Sequence, residues 1–257
     1  MESNPPLKGR SLRWVLIMPA ALILLMAITS LALAAALDWE PSGTIIVAKT
    51  GQADYTTIGE ALENAPPNSR IKVRPGVYRE GFPLNKSVVI VGQPNDAPLL
   101  ARLRRLLRSS STEEVVIESS ESSCIGMRTE RATIRGVTLR CAGQAGRRQV
   151  PAVGLLGGNL TLEDCKITCE SFAGVALYGV NASCSMRRCT ISECGLNGVL
   201  AEGGSSVVIE DSEIASNKYA GIRIEGGASA TVRRSKIHDG VSGGVLVLDK
   251  GFAALED

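Results

Sequence analysis

The chain has 257 residues, a formal net charge of +2 and 4% aromatic residues. A charge this close to zero implies no strong attraction to nucleic acid or to anionic surfaces, so we expect no nucleic-acid partner. The sequence contains no motif that predicts a cofactor, and we expect none.

The N-terminal segment predicts a membrane helix rather than part of a globular fold. Residues 1–13 are basic and residues 14–37 form an uncharged run. At about 1.5 Å per residue this run is long enough to cross a bilayer, with the basic tail kept in the cytoplasm. The small residues at 31–36 also offer cleavage sites, so the run is either a retained anchor or a signal peptide. We therefore expect a single-pass membrane protein whose remaining chain lies outside the cytoplasm, or alternatively a secreted protein.

A short helix is predicted shortly after this segment. Thr57 and Glu60 form a capping-box pattern, and Pro66 and Pro67 end the helix. The apolar residues that share one face of it are Ile58, Ala61, Leu62 and Ala65. The first β-segments predicted after it are Ile71–Tyr78, Ser87–Gly92 and Val115–Glu118.

A basic amphipathic helix at residues 99–108, within an insertion at 99–111, interrupts the β pattern. One of its faces carries Leu99, Leu100, Leu103, Leu106 and Leu107, and the other carries Arg102, Arg104, Arg105 and Arg108. Such a helix either packs on the flank of the fold or contacts membrane headgroups or a protein partner.

A second interruption lies at Arg140–Pro151, where glycines surround Arg147 and Arg148. A protruding basic loop of this kind is a candidate ligand-binding site. It is equally a place where a change in length costs little stability, and the sequence leaves the two alternatives open.

Four hexamers in the second half of the chain share one pattern of apolar, charged and small residues. They are Leu162–Ile167, Met186–Ile191, Ile209–Ile214 and Val232–Ile237, and a fifth, partial copy is Ile134–Leu139. They start at residues 162, 186, 209 and 232, so the period is 23 or 24 residues, and a glycine follows seven residues after each final Ile. Short alternating apolar pairs within such a period predict stacked coils of short strands, which is a parallel β-helix.

Two rows of alternating charge run through these hexamers. The first row is Arg135, Glu163, Arg187, Glu210 and Arg233, and the second is Asp164, Arg188, Asp211 and Arg234. Equivalent residues on neighbouring coils stack about 4.8 Å apart, where like charges repel and opposite charges attract. The alternation therefore predicts a structural charge ladder that also fixes the register of the coils.

The repeat resembles that of right-handed parallel β-helix proteins of the pectin-lyase-like superfamily. The segment Ile45–Glu80 resembles the opening of pectin methylesterases and of non-catalytic carbohydrate-binding and sugar-hydrolase β-helix modules. The resemblance implies an all-β, single-stranded right-handed parallel β-helix over residues 38–257, with clear repeats over 134–250. The predicted helix at residues 58–65 would then cap the first coil and cover its open sheet edge.

The resemblance also suggests what an active site would need. Methylesterases of this superfamily use two Asp, one Arg and Gln residues, lyases use an acidic Ca²⁺ cluster with an Arg or Lys base, and glycosidases need two separated carboxyls. Gly76–Glu80 matches the methylesterase G-x-Y-x-E element, but the later Gln- and Asp-bearing motifs have no match. We therefore expect no catalytic residue and no metal site. The main interpretation is a non-catalytic extracytoplasmic module that binds or scaffolds carbohydrate or protein, and the alternative is a carbohydrate-active enzyme acting on acidic polysaccharide.

Three further residues are candidates for ligand binding. Glu202 and Glu225 occupy equivalent positions on adjacent predicted coils, beside Tyr178. Two stacked carboxylates could raise the pKa of one of them or hold a cation, or both could be ordinary surface residues. One outward row was expected to form a flat, partly apolar contact surface: Gly154, Ala176, Leu200, Arg223 and Leu246.

Two features of the sequence allow more than one interpretation. The seven cysteines are either small buried apolar residues or include one or two disulfides, which export would permit. The C-terminal segment, with Phe252 and Leu255, was expected to fold over the end of the last coil or to leave that end bare.

Overall fold

Three parallel sheets surround one apolar core in the computed structural model, which describes residues 43–93, 114–142 and 149–257. The described strands, in chain order, are β1 (Thr44–Val47), β2 (Ser69–Val73), β3 (Gly76–Arg79), β4 (Phe82–Leu84), β5 (Val88–Gly92), β6 (Val115–Ser119), β7 (Ile125–Met127), β8 (Arg131–Arg135), β9 (Thr138–Cys141), β10 (Val153–Leu155), β11 (Gly158–Glu163), β12 (Lys166–Cys169), β13 (Val175–Tyr178), β14 (Ala182–Arg187), β15 (Thr190–Ser192), β16 (Val199–Glu202), β17 (Ser206–Glu210), β18 (Glu213–Ala215), β19 (Ala220–Ile224), β20 (Ser229–Arg233), β21 (Lys236–His238), β22 (Gly243–Val247) and β23 (Phe252–Glu256).

Each coil contributes one strand to each sheet. Sheet 1 has the order β1-β2-β5-β8-β11-β14-β17-β20-β23, sheet 2 runs from β3 through β6, β9, β12, β15 and β18 to β21, and sheet 3 runs from β4 through β7, β10, β13, β16 and β19 to β22. Strands one coil apart pair in parallel, for example β11 with β14, which sets Glu163 opposite Arg187. The predicted parallel β-helix is therefore confirmed.

The hexamers supply the core because their alternate residues point inward. Leu162, Met186 and Ile209 stack in register on adjacent coils, and their side chains are fully buried. The periodic glycines allow the coils to approach closely. A Cβ atom on Gly198 would lie 2.6 Å from the carbonyl oxygen of Gly221 and 2.6 Å from Cγ2 of Ile214.

The corner between sheets 1 and 2 has a left-handed backbone. Asp164, Arg188, Asp211 and Arg234 have φ values of 53°, 52°, 50° and 46°. Gly136, at the equivalent position of the partial repeat, has a φ of 64°. Residues other than glycine seldom adopt this conformation. At this corner, however, four successive coils hold a charged residue in it.

The helix predicted near residue 60 is present as α1 (Ile58–Asn64). The Thr57 side chain accepts a hydrogen bond from the Glu60 N–H at 3.2 Å, and Ile58, Ala61 and Leu62 are buried. That α1 shields the open end of the first coil remains a prediction.

Two sequence-based strand predictions need correction in the N-terminal coils. The segment Ile71–Tyr78 is divided between β2 in sheet 1 and β3 in sheet 2, because Pro75 between them lacks the N–H that a continuous ladder requires. Strand β1 was not predicted, although it pairs with β2 in register from Thr44 opposite Arg70.

The C-terminal segment extends the solenoid instead of folding over its end. Strand β23 pairs in parallel with β20, with Phe252 opposite Ser229 and Arg233 opposite Glu256. Phe252 and Leu255 are each 63% exposed, so the expected fold-over through these two side chains is wrong. The same period-two alternation that forms the earlier sheet 1 strands continues through this segment.

Several predictions lie outside the described residues: the membrane or signal segment at 14–37, the insertion at 99–111, and Arg147 and Arg148. Within the ranges that are described, no helix combines the length and apolar character needed to span a bilayer.

Candidate functional site

The first predicted charge row forms at the C-terminal ends of the sheet 1 strands. Its residues stack in register from Arg135 to Arg233, and Glu256 on β23 adds a rung that was not predicted. Arg135 lies 2.9 Å from Glu163, and Arg233 lies 3.3 Å from Glu210 and 2.7 Å from Glu256.

Arg187 departs from the simple ladder. It is in register with Glu163 and Glu210, but it makes an ion pair diagonally with Asp211, at 3.9 Å. The row is therefore continuous in register, while its ion pairs partly cross to the neighbouring row.

The residues of the second row form two separate Arg–Asp pairs at the left-handed corner. Arg188 makes two hydrogen bonds to Asp164, at 2.7 and 2.9 Å, and Arg234 makes two to Asp211, at 2.8 and 3.2 Å. The hydrogen bond from Arg188 lowers the pKa of the Asp164 carboxyl, and that from Arg234 lowers the pKa of Asp211. Because an acid or base catalyst at neutral pH needs a pKa nearer 7, these acids serve the structure.

The G-x-Y-x-E element also has a structural role. The two oxygens of Glu80 accept the backbone N–H groups of Ile58 and Gly59, at 2.9 and 2.8 Å, at the start of α1. The Tyr78 hydroxyl is buried and donates to the carbonyl oxygen of Arg74 at 2.9 Å. Burial raises the pKa of Tyr78 to about 12, so this hydroxyl stays protonated.

A different group of side chains meets at the C-terminal ends of the sheet 3 strands. Tyr178, which ends β13, is in register with Glu202, which ends β16. Glu225 directly follows β19, and its backbone N–H donates to the carbonyl oxygen of Ala201. Arg223 donates to one oxygen of Glu225 from Nε at 3.0 Å and from Nη2 at 2.7 Å.

The two glutamates are neighbours on adjacent coils, in a partly buried setting. Burial raises the pKa of Glu202, its interaction with Glu225 raises it further, and the Arg223 charge opposes both. The ion pair with Arg223 compensates the charge of one of the two carboxyls.

The role of Arg223 was missed because the sequence was compared between coils and not along one strand. Residues two apart on a strand point to the same face, so Arg223 and Glu225 had to be neighbours. The arrangement contains two carboxyls in different surroundings and a cation, the kinds of group that general acid and nucleophilic or base chemistry use.

An open groove of about 470 Å³ lies beside this cluster, on the coils before it. Its lining includes a cation, an amide and larger apolar or aromatic side chains: Arg128, Gln149, Pro151, Leu156 and Tyr178. Tyr178 belongs to both the groove and the acidic cluster, so a ligand lying along the solenoid axis can reach both.

The expected flat apolar surface is only partly realised. Gly154, Ala176, Leu200, Arg223 and Leu246 do stack in register on sheet 3. Ala176 and Leu200 are nonetheless buried, in a small cluster with Ala173 that packs against Phe172 and Tyr178. The middle of this row is therefore not an exposed apolar strip, and an outward direction on a strand did not imply exposure.

Among the described residues, no three His, Cys, Asp or Glu side chains converge in a geometry that could hold a metal ion. The third carboxylate that a Ca²⁺ cluster would need beside Glu202 and Glu225 is not found there.

Comparison with known proteins places the fold. The family model described as "Right handed beta helix region" matches residues 173–252. Over 82 residues the chain is 35% identical to a pectinesterase/pectinesterase inhibitor of Ficus pumila var. awkeotsang, a match that covers 29% of this chain. The chain thus matches only 15% of the length of that curated relative.

Solved structures extend the likeness over most of the chain. One is a variant of pectin methylesterase in complex with a hexasaccharide, with 12% identity, a TM-score of 0.50, and 78% of this chain and 80% of that chain covered. Another is the pectin methylesterase of Aspergillus niger, with 11% identity, a TM-score of 0.49, and coverage of 85% and 86%. At these identities the likeness concerns the fold alone. The chain is therefore a right-handed parallel β-helix protein with the pectin-lyase-like fold.

Proposed function

We propose that this protein is a carbohydrate-active enzyme, a carbohydrate esterase that hydrolyses ester groups on an acidic polysaccharide. The observation that carries the proposal is the stacked Glu202–Glu225 pair, in which Arg223 makes an ion pair with Glu225 at 2.7 Å. The pectin methylesterases among the similar proteins also support it, and they favour the enzyme interpretation over the non-catalytic module.

The spacing of the carboxyls favours ester hydrolysis over the other reactions of the superfamily. Glycoside hydrolysis requires two carboxyls about 5 to 10 Å apart, with the sugar bond between them. Glu202 and Glu225 are direct neighbours on adjacent coils and not two carboxyls on opposite sides of a groove, and Arg223 already binds one of them. The described residues also lack the three-acid cluster that a Ca²⁺-dependent lyase would use.

The proposed reaction assigns a different role to each member of the pair. Glu225, ion-paired with Arg223, attacks the ester carbonyl carbon, while protonated Glu202 gives its proton to the departing alkoxide, which leaves as an alcohol. Water then attacks the acyl anhydride on Glu225 and returns one proton to Glu202. The polysaccharide leaves with a free acid, and both glutamates recover their starting state.

The neighbouring groove would hold the rest of the polysaccharide. Exposed Arg128 offers a positive charge to an acidic sugar, Gln149 offers an amide, and Leu156 and Tyr178 offer apolar surface to the sugar faces. Because the groove crosses coils along the solenoid axis, it suits an extended chain rather than a compact small molecule.

The test is methanol release from highly methyl-esterified pectin by the full chain, with Glu202→Gln and Glu225→Gln as variants. Both variants are expected to lose turnover, while Glu118→Gln, which changes an acid ion-paired with Arg79 on sheet 2, should keep it. Release that persists in both pair variants would refute the assignment.

A non-catalytic carbohydrate-binding module is the second candidate, favoured by the missing Gln- and Asp-bearing methylesterase motifs. Binding of oligogalacturonide without methanol release would support it over the esterase. Neither binding nor release would leave a protein partner as the surviving interpretation.

A further inference from the structure

The seven cysteines form two groups inside the solenoid, and the sequence could not decide which of them pair. All seven are buried and carry free thiols in the described structure. Only geometry can select partners among them, because every one of them is equally remote from solvent.

Cys141 and Cys169 occupy equivalent positions on adjacent coils. They end strands β9 and β12, and their Cα atoms are paired in register in the parallel sheet. Their sulfur atoms converge on one acceptor, since the Sγ of Cys141 lies 3.8 Å and the Sγ of Cys169 lies 3.3 Å from the carbonyl oxygen of Val150.

Cys165 and Cys189 form a second stacked pair with a different geometry. The Sγ of Cys165 contacts the carbonyl oxygen of Ile134 at 3.7 Å, and the Sγ of Cys189 contacts that of Leu162 at 3.4 Å. Each sulfur also contacts a carbonyl oxygen two residues earlier on its own coil, that of Glu163 at 3.2 Å for Cys165 and that of Arg187 at 3.4 Å for Cys189. The two sulfurs therefore contact carbonyl oxygens of different residues. This pair provides an internal comparison at the same coil spacing.

We propose that Cys141 and Cys169 form a disulfide that links consecutive coils when the chain folds under oxidising conditions. In-register neighbours of a sheet have Cα atoms about 4.8 Å apart, within the range of about 4.4 to 6.8 Å that disulfides span. The sulfurs of Cys141 and Cys169 already meet at one carbonyl oxygen, so side-chain rotation can join them, whereas the sulfurs of Cys165 and Cys189 contact carbonyl oxygens of different residues.

The reaction needs an external disulfide, such as oxidised glutathione or an oxidised dithiol carrier. One thiolate attacks the carrier and forms a mixed disulfide, releasing one carrier thiol. The second cysteine then attacks the mixed disulfide, so two protein thiols become one bond and the carrier leaves fully reduced.

The bond would brace one wall of the groove. Val150, whose carbonyl both sulfurs contact, and its neighbour Gln149 line that groove. Joining β9 to β12 holds the two ends of residues 142–165 at a fixed separation. The proposal does not depend on esterase activity, because it concerns the fold beneath the groove.

The test is to refold the full chain in mild detergent with oxidised and reduced glutathione, then alkylate the free thiols and digest with trypsin and a Glu-specific protease. Cleavage after Arg140, Arg147, Lys166 and Glu170 isolates Cys141 on peptide 141–147 and Cys169 on peptide 167–170. We expect mass spectrometry to show these two peptides joined and the other five cysteines alkylated. Reduction should separate the joined species into its two peptides.

The matched variants are Cys141→Ser, which should leave Cys169 open to alkylation, and Cys165→Ser, which should leave the joined peptides intact. Circular dichroism checks that each sample is folded. Folded wild-type protein with both Cys141 and Cys169 alkylated would overturn the proposal, as would equal yields of a Cys165–Cys189 link.

Discussion

Arg223 directs both of its hydrogen bonds at a single oxygen of Glu225, from Nε at 3.0 Å and from Nη2 at 2.7 Å. The second oxygen of Glu225 is left for other contacts, and Glu202 lies at the neighbouring position on the adjacent coil. A cation thus acts on one side of a carboxyl pair and makes its two members chemically different.

The Arg223→Gln variant is expected to lower turnover by roughly 10- to 100-fold, because a hydrogen bond to a charged group contributes about 1.5 to 3 kcal/mol. Burial and Glu225 raise the pKa of Glu202 while Arg223 lowers it, so removing Arg223 should also move the alkaline limb of the pH–rate profile to higher pH. Profiles of wild type, Arg223→Gln and the control Arg234→Gln measure both effects. An unchanged alkaline limb would contradict the assignment of Glu202 as the acid.

The Glu202→Gln variant is expected to be more stable than wild type at neutral pH. The raised pKa means that the fold favours the protonated carboxyl, so folding loses free energy as pH rises above the ordinary value of 4.5 and Glu202 ionises. Below that value both states are protonated and the advantage should vanish. Thermal melts from pH 3 to 8 check this, and parallel curves for the two proteins would show that Glu202 is not perturbed.

The Gly198→Ala variant is expected to lower the free energy of unfolding by about 1 to 3 kcal/mol, because its Cβ would press on the Gly221 carbonyl oxygen and on Ile214. Gly126→Ala is the matched control, since nothing lies within 4 Å of the Cβ it would add. Denaturant titration of both variants provides the comparison. Similar midpoints for the two would argue against close coil packing at the periodic glycines.

The Arg233→Glu variant should destabilise the charge ladder, because residue 233 lies between Glu210 and Glu256 and three acids would then stack in register. Added salt screens exposed charges, so the loss should be larger at low ionic strength. Lys218→Glu makes the same charge change at an exposed position outside the ladder. Melting temperatures at two salt concentrations test this, and an equal loss in both variants would indicate net charge as the cause.

His238, on the edge strand β21 of sheet 2, is expected to make the stability of the fold depend on pH. Its Nδ1 lies 2.8 Å from Asp239 and its Nε2 lies 3.0 Å from Glu213, and hydrogen bonds to these acids raise the pKa of His238. The stabilisation by these hydrogen bonds is complete below pH 6.5, the pKa of the histidine in the unfolded chain. It is lost as pH rises through the higher pKa that His238 has in the folded protein. The wild-type melting temperature should therefore fall above pH 6.5 more steeply than that of His238→Gln, and identical slopes would exclude the effect.

The repeat made much of the fold predictable before any coordinates. The hexamers placed Leu162, Met186 and Ile209 in one buried column, and the alternating signs placed Glu163 opposite Arg187. Both inferences depend on a strict repeat period, so the predictions are less accurate in the part of the chain where the repeat is irregular. The unpredicted β1 and the division of Ile71–Tyr78 between two sheets both lie before the first clear repeat.

The candidate site was less predictable for the same reason. Tyr178, Glu202 and Glu225 could be aligned by counting coils, but the groove depends on Gln149 and Pro151, which lie within an interruption of the repeat. Whether an outward residue is covered also cannot be counted, as the buried Leu200 demonstrates.

By itself, the amino-acid sequence determined that successive coils stack and which residues face one another across them, because a fixed period maps equivalent positions onto one line of the sheet. Only the tertiary structure decided which neighbours interact chemically: Arg223 with Glu225, Arg187 diagonally with Asp211, and Cys141 with Cys169 around one carbonyl. The physical reason is that register sets backbone spacing to a few ångströms, whereas hydrogen bonds and ion pairs depend on side-chain direction and local burial.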